Sequence, residues 1–497
     1  MYYFDNNVGK IFFARSNILF FERLFHPLSF RKALRYLIDT DGAEQTILPV
    51  LPDVLNEYFR IMNEIGNDDV VAALQVIIDK FGEHIEPHAT ALVTQLSNAF
   101  KTYCSVGEDD DDDAAMAAAQ CLDCISTVLK GVCDRPDLFK HLEPQLLPIV
   151  IQILGNEGEY IEYLEHALDI LTFLTYFPDQ ISPQLWETFP LIYNAFDQWA
   201  FDYLNLMTPS LENFIGKAPQ QFLRGKIVMA DKTVSYIELI FNMVTKTLAE
   251  DRTSEGEVRK AISLYLSILH NCRGMVDGYL SAINDVVLKK LAQQLNAETP
   301  LTRIAIYQVI GSALYYNPQL QLIELEKRNA TQQVFFQWLK DLEKIDRWLP
   351  RKITVLGFLS ILQLPISSLP VSVSSVVPQI MTGLITTTEN MQEDAELEED
   401  EKSESVIESE SVCLDDDSEG FAEDEDVHSG EDEAYLDALN TLSSGNELHQ
   451  FLVGEDWDDD DDDENYKSPL DDIDELYFFS DTLKASFLRE PQVSISF

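Results

Sequence analysis

The chain has 497 residues, with 86 acidic side chains against 35 basic ones and a formal net charge of −51. That length exceeds one ordinary compact core, so several domains or one repeating array are expected. The charge excludes nucleic acid as a direct partner, because phosphates are repelled, and favours a basic protein.

Residues 1–43 repeat Phe, Leu and Arg, with Pro27 as a break. Asp5, Lys10, Arg15, Glu22 and Arg23 interrupt any apolar run, so this divergent N-terminal segment lacks the core of a signal peptide. From 44 to 388 the apolar residues recur at helical spacing, with no strand-like alternation. They fall into pairs of helices repeating every ~40–50 residues, the interval of HEAT-type repeats. The first helix opens at Thr46, with Pro49 and Pro52 in its opening turn, where a missing N–H is tolerated. Asn67 and Asp68 mark the cap of its partner. Pro87 opens the second pair. Between its helices lie Gly107, Glu108 and Asp109, Asp110, Asp111, Asp112 and Asp113. Five adjacent like charges repel one another, so this run is expected in an exposed loop rather than inside a helix.

The third pair starts near Leu138, with Pro144 and Pro148 early. The fourth starts near Ile181, the fifth near Ile227, the sixth near Val276 and the seventh near Leu320; an eighth opens at Val376. The second helices look alike, beginning at Ala72, Ala119, Leu164, Lys260, Arg303 and Arg351. Each carries a small residue where two helices cross closely. One such pair cannot bury both apolar faces, and stacking on its neighbours solves this. The expected fold is therefore all-α, a HEAT-repeat superhelical solenoid of about seven to eight helix pairs.

The fourth pair is aromatic: Trp186, Phe189, Tyr193, Phe196, Trp199, Phe201 and Tyr203. Such residues at helical spacing form core, or, where they face outward, grooves for short aromatic peptides. Ile353–Thr388 holds no charge, yet its apolar run ends near Leu364, short of the ~20 residues of a membrane span. Pro365, Pro370 and Pro378 break the helix beyond that point. The stretch reads as a buried second helix, a loop and the start of a last helix, with no membrane insertion.

From 389 to 466 acids, Ser and Gly dominate, and disorder is expected. Between Met391 and Leu470 there are 32 acids against two lysines, including the run Asp458, Asp459, Asp460, Asp461, Asp462 and Asp463. Ser405 and Ser429 each have an acid three residues on, as acidophilic kinases favour. In the last segment, 467–497, Ile473, Leu476, Tyr477, Phe479 (or Phe478) and Leu483 fall at helical spacing and form an amphipathic helix able to dock on the array.

Catalytic patterns are missing. There is no phosphate-cradling glycine loop, no Gly-x-Ser-x-Gly turn and no His-Glu-x-x-His, so no enzyme activity and no cofactor are expected. Six scattered cysteines do not form a disulfide framework and point to a reducing compartment. Cys121 and Cys124 make a lone Cys-x-x-Cys within a helix, read as two buried small hydrophobes rather than a zinc site. Pro87 separates His84 from His88 and breaks the helix that would align them on a metal. The aspartate runs lack the spaced ligands and turn glycine of a calcium loop. They are read instead as binding sites for a basic cargo protein, with attraction that weakens as salt rises.

Three blocks, Ile181–Phe214, Ser312–Leu320 and Gln337–Ile361, with the acidic loop at Glu108–Asp113 and the tail ending in Asp-Asp-Ile-Asp-Glu-Leu-Tyr-Phe-Phe, resemble the importin-β (karyopherin-β) superfamily. The resemblance is to the C-terminal half of members of the importin seven and eight subgroup, from about Thr46 to Phe487. It implies a nuclear transport receptor moving between cytoplasm and nucleus through the pore. It implies basic cargo such as ribosomal proteins and histones, Phe-Gly repeats of nucleoporins, and release by the GTP form of the small GTPase Ran. The family's main Ran-binding surface lies in its first repeats, which this chain does not match. Ran-driven release is therefore not expected of this chain alone, and no Ran-contact residue carries over. The rival readings are a HEAT scaffold of a non-transport complex and a histone chaperone acting through its acidic tail.

Overall fold

The computed structural model describes residues 47–65, 68–106, 112–229, 232–250, 252–297, 299–411 and 468–489. The chain divides into two units, Met1–Met243 and Val244–Phe497, each built of paired helices.

In the first unit the pairs are α1 (Leu51–Ile65) with α2 (Asp68–Lys80), α3 (Ala89–Val106) with α4 (Asp112–Gly131), α5 (Pro136–Gly155) with α6 (Leu164–Tyr176), and α7 (Thr188–Gln198) with α8 (Leu204–Lys217). The second helices pack side by side, α2 on α4, α4 on α6 and α6 on α8. The first helices do likewise, α3 on α5 and α5 on α7. Each helix thus buries one face on its own partner and its flanks on the neighbouring pairs. Pro144 and Pro148 lie inside α5 rather than at its start. Lys140, Pro144 and Pro148 share one exposed stripe at i, i+4 and i+8, so the carbonyls left without an N–H partner lie on the solvent side.

One expectation fails here. A short α9 (Pro219–Arg224) leads into an antiparallel hairpin, β1 (Lys226–Met229) with β2 (Lys232–Ser235). The fifth pair therefore starts at α10 (Tyr236–Ala249), not near Ile227. Ile227 pairs with Val234 and Val228 with Thr233; β-branched side chains favour a strand over four residues too short for a helix. Gly225 just before β1 has a structural reason. A Cβ there would meet the Tyr236 ring at 2.2 Å, and that ring stacks on Phe189 at 4.4 Å and on Trp186 at 5.6 Å.

The second unit begins within α10 and continues with α11 (Glu255–Asn271), α12 (Leu280–Gln294), α13 (Leu301–Tyr316), α14 (Pro318–Lys327), α15 (Thr331–Asp341), α16 (Trp348–Leu362), α17 (Val371–Ser374), α18 (Val377–Ser411) and α19 (Glu475–Arg489). Local chemistry sets several starts. Ser254 and Glu257 form a reciprocal capping box on α11. Asn317 caps α14, with Pro318 at its first position. The seventh pair has a split first helix, α14 and α15, before α16. Helices α11, α13 and α16 pack in series as the second-helix layer. At the α13–α16 crossing glycine meets glycine: a Cβ on Gly357 would lie 2.9 Å from the Gly311 Cα and 3.0 Å from its carbonyl oxygen. That is the small-residue crossing expected from the sequence.

The uncharged stretch divides into α16, a loop with a 3₁₀ turn at Ile366–Ser368, the short α17 and the start of α18. Among the described residues no helix is long and apolar enough to cross a membrane. Helix α18 continues to Ser411, past the onset of the acid-rich composition at 389.

Candidate functional site

The first aspartate run opens α4. Asp112 and Asp113 are its first two residues, whereas Asp109, Asp110 and Asp111 lie outside the described residues. The expected loop is therefore shortened at its C-terminal end. Acids at a helix N-terminus meet the positive end of its dipole, which offsets their mutual repulsion. A second acidic segment, between α5 and α6, approaches the same place. Tyr163 donates to the Ala115 carbonyl at 3.4 Å and its ring meets Phe100 edge-on at 5.5 Å. Burial, and behind it the charges of Glu162 and Glu159, hold the Cys104 thiol above its ordinary value despite a hydrogen bond with Tyr160. So Glu159 and Glu162 stand beside the end of α3, where the chain enters the aspartate run.

The second helices next door carry more charge. On α4, Gln120, Asp123, Thr127 and Lys130 form a half-buried stripe. Asp123 Oδ1 lies 3.1 Å from Nδ1 of His166 on α6. Burial lowers the His166 pKa, but the Asp123 hydrogen bond and neighbouring acids win and raise it. Asp169, one turn on, is pushed up to about 7, mainly by burial and then by Glu165 and Asp123, against Lys130. Acidic groups thus stand near the start of α4 and along α4 and α6, with Lys130 and His166 among them.

The corresponding face of the second unit is closed. Residues 468–489 lie on α16. Leu470 joins Leu349, Ile353 and Leu356 in a buried cluster, with Ile473, Phe478 and Tyr315 packed against it. Lys352, 2 % exposed, reaches Glu475 at 3.3 Å and the Asp471 carbonyl at 3.3 Å. Its ammonium also sits 4.4 Å from the centre of the Trp348 ring. Arg489 and Ser486 donate to the last carbonyl of α16, at Leu362, and Arg489 also to those of Gln363 and Leu364 just beyond it. At the other end Ser468 Oγ lies 2.9 Å from His270 Nδ1, while His270 Nε2 lies 2.8 Å from Ser312 Oγ. Burial, then Arg273, pushes His270 down to about 3, so this bridging imidazole is neutral at physiological pH.

The amphipathic stripe expected of the tail is corrected in part. Phe478 and Thr482 face α16, but Leu476 and Tyr477 are exposed. The docked face runs through 478, 482, 486 and 489 and is mostly polar, because it serves the open carbonyls at the end of α16. Ser468 and His270 were missed by sequence reasoning; the only available signal was a histidine inside an otherwise apolar second helix. The second run, Asp458 to Asp463, Ser429 and the segment 1–43 lie outside the described residues. Ser405 lies on α18.

The aromatic fourth pair resolves as core at Trp186, Phe189, Tyr193 and Phe196, all buried, with Trp186 and Phe189 packed on Phe214 and Tyr236 and Phe196 on Phe201. Cys121 and Cys124 are buried, and Cys124 Sγ donates to the Val71 carbonyl at 3.6 Å. Among the described residues no group of three or more His, Cys, Asp or Glu is arranged to hold a metal. Large apolar side chains stay exposed on the split first helix of the seventh pair and on the short helix after α16: Ile323 on α14, Phe336 on α15 (67 % exposed) and Val371 on α17 (84 %).

Paired helices stacked in two layers within each unit define a helical-repeat protein, a class that presents surfaces rather than reaction centres. The chain is 31% identical over 366 residues to the importin beta-like SAD2 homolog of Arabidopsis thaliana, covering 71% of this chain and 34% of that protein. It is 29% identical over 331 residues to the probable importin-7 homolog of Dictyostelium discoideum, covering 66% and 30%. To human importin-8 it is 29% identical over 363 residues, covering 71% and 33%. The chain belongs to the importin-β superfamily, beside the importin-7 and importin-8 proteins. It spans about a third of the length of the curated relatives it matches. No protein-family model matches. The crystal structure of Kap121p aligns over 72% of this chain and 38% of its own, with a TM-score of 0.39 and 9% identity.

Proposed function

We propose that the chain acts as part of a nuclear transport receptor that carries basic proteins, histones or ribosomal proteins, by binding alone. The observation that carries this reading is the match to importins over 71% of the chain. Its physical support is the acidity of the first unit, where the start of α4, Asp123 on the same helix, and Glu159 and Glu162 in the connection between α5 and α6 lie on neighbouring elements. A basic segment entering that field is attracted before any contact forms. The exposed Phe336, Ile323 and Val371 supply apolar sites for Phe-Gly repeats. By composition, the array ends near 388, an acidic segment spans 389–466 and the tail begins at 467. Ran release is not assigned to this chain alone.

The test is titration of a purified histone or ribosomal protein across a salt series. Affinity should fall steeply with salt, and replacing Asp109–Asp113 by Ser should lower it at low salt by roughly tenfold. Salt-insensitive binding, or none at low salt, defeats the reading; unchanged affinity in the five-Ser variant removes this loop from the site.

A further inference from the structure

The docked tail is fastened at its start by one hydroxyl. Ser468 is 7 % exposed. Its Oγ meets His270 Nδ1 at 2.9 Å and accepts from the Leu470 amide at 3.2 Å, while its own amide donates to Asp471 Oδ2 at 2.8 Å. Two residues on, Leu470 fills the cluster with Leu349, Ile353 and Leu356. The position of Ser468 therefore sets the position of Leu470. His270, in turn, is anchored on α13 through Ser312.

The sequence at this point is Ser468-Pro469-Leu470-Asp471-Asp472, and Pro469 is the sole proline between Pro378 and Pro491. Serine followed directly by proline is what proline-directed kinases accept. Acids at the third position are common in this tail, whereas a following proline is not.

We propose that Ser468 is a phosphorylation site whose modification and the docking of residues 468–489 exclude each other. A proline-directed kinase transfers the γ-phosphoryl group of a nucleoside triphosphate to Ser468 Oγ. An O–P ester bond forms, the β–γ anhydride bond breaks, the nucleoside diphosphate leaves, and the hydroxyl proton passes to the kinase's base. The product does not fit the docked state. The phosphoryl group adds up to two negative charges in a closed space beside the Asp471 carboxylate. The partners of Ser468 Oγ there are the Leu470 amide and the His270 imidazole, which burial keeps neutral beside the unmodified hydroxyl. Lys352 is engaged with Glu475 and the Asp471 carbonyl, and Arg273 with the Tyr315 carbonyl and ring. A buried unpaired dianion costs more than the tail's contacts return, so the modified tail leaves α16. Because the hydroxyl is enclosed, the kinase reaches it only while the tail is undocked, and the phosphate then holds that state.

The full chain tests this. It is phosphorylated at Ser468 with a purified proline-directed kinase, and amide hydrogen exchange is followed in Glu475–Arg489, with α12 as the control for folding. Exchange in the tail helix should rise on the order of a hundredfold in the modified chain, with α12 unchanged. Ser468→Ala, which loses two neutral hydrogen bonds but buries no charge, should raise it clearly less than phosphorylation does. Leu470→Asp, which undocks the tail without touching the hydroxyl, should speed phosphorylation of Ser468. Unchanged exchange in the phosphorylated chain overturns the proposal. So does an equal phosphorylation rate in the Leu470→Asp and unmodified chains, or no modification of Ser468 in either.

Discussion

Helices α4 and α13 hold the same place in their pairs, yet they end in opposite environments. Helix α4 keeps a half-buried polar stripe, Gln120, Asp123, Thr127 and Lys130, and α6 beside it adds His166 and Asp169. Helix α13 has no such stripe: apart from Leu301 and Tyr315 every residue is buried, and α16 is nearly as enclosed. A helix apolar on all sides must be covered on all sides. In the second unit the tail contributes to that cover. The lesson is that one repeat unit leaves a second helix either with a half-buried polar stripe or closed on nearly every side, and the polarity of that stripe marks which.

The largest effect is expected where the closed unit buries charge. Arg303 donates to Asp341 at 2.9 and 3.2 Å, and Tyr307 and Gln337 donate to the same carboxylate. Burial alone would raise the Asp341 pKa, but these donors hold it down at about 2. Arg303→Met removes the buried cation and leaves the carboxylate only Tyr307, Gln337 and the half-exposed Lys344 at 3.4 Å, and should cost about 3–5 kcal/mol in denaturant unfolding. With its pKa depressed, the carboxylate stabilises the native chain above its unfolded pKa near 4, and that contribution is lost as pH falls from about 4 toward 2. A cost below about 1 kcal/mol would mean that water reaches the pair.

Next comes the crossing of α13 and α16. Gly357→Ala sets a methyl group against the backbone of Gly311, which cannot give way as a side chain can. Destabilisation of about 2–3 kcal/mol is expected by thermal or denaturant melting. A neutral result would show that the two helices separate freely, and would weaken the picture of a tightly closed second layer.

The smallest effect belongs to the polar stripe of α4 and α6. Asp169 is raised to about 7, so in the native chain it binds a proton that the unfolded chain has already released. Its ionisation therefore costs stability as pH rises from about 4 to 7, and the cost is complete above that. Asp169→Asn should stabilise by about 1 kcal/mol at pH 8, with the gain shrinking toward pH 4. A gain independent of pH would assign it to packing instead.

The sequence made the pairs legible because each second helix repeats a local pattern of apolar and small residues. Gly311 and Gly357 could be placed at a crossing for that reason. The hairpin at Lys226–Ser235 was hidden, because each strand has only four residues and too few alternations to stand out from a helix start. The tail helix was visible as apolar residues at helical spacing, but its docked face was not. Thr482, Ser486 and Arg489 bond to Gln363 and to carbonyls at the end of α16, a need that belongs to another helix and leaves no mark in the tail's own pattern. The Ser468–His270 contact spans 198 residues, and nothing local to either residue announces it. The aspartate runs were easy to see as charge. Their neighbours Glu159 and Glu162 became part of the same field only once α5 and α6 had folded beside α3.

The contrast between the two units is tested most directly by a hydrogen-exchange footprint of the chain saturated with a core histone at low salt. Protection should appear in Asp112–Gly131 and Leu164–Tyr176 of the first unit, and Leu301–Tyr316 and Trp348–Leu362 should be unchanged. Protection confined to the latter two helices, or none in the complex, would contradict the assignment of the receptive face.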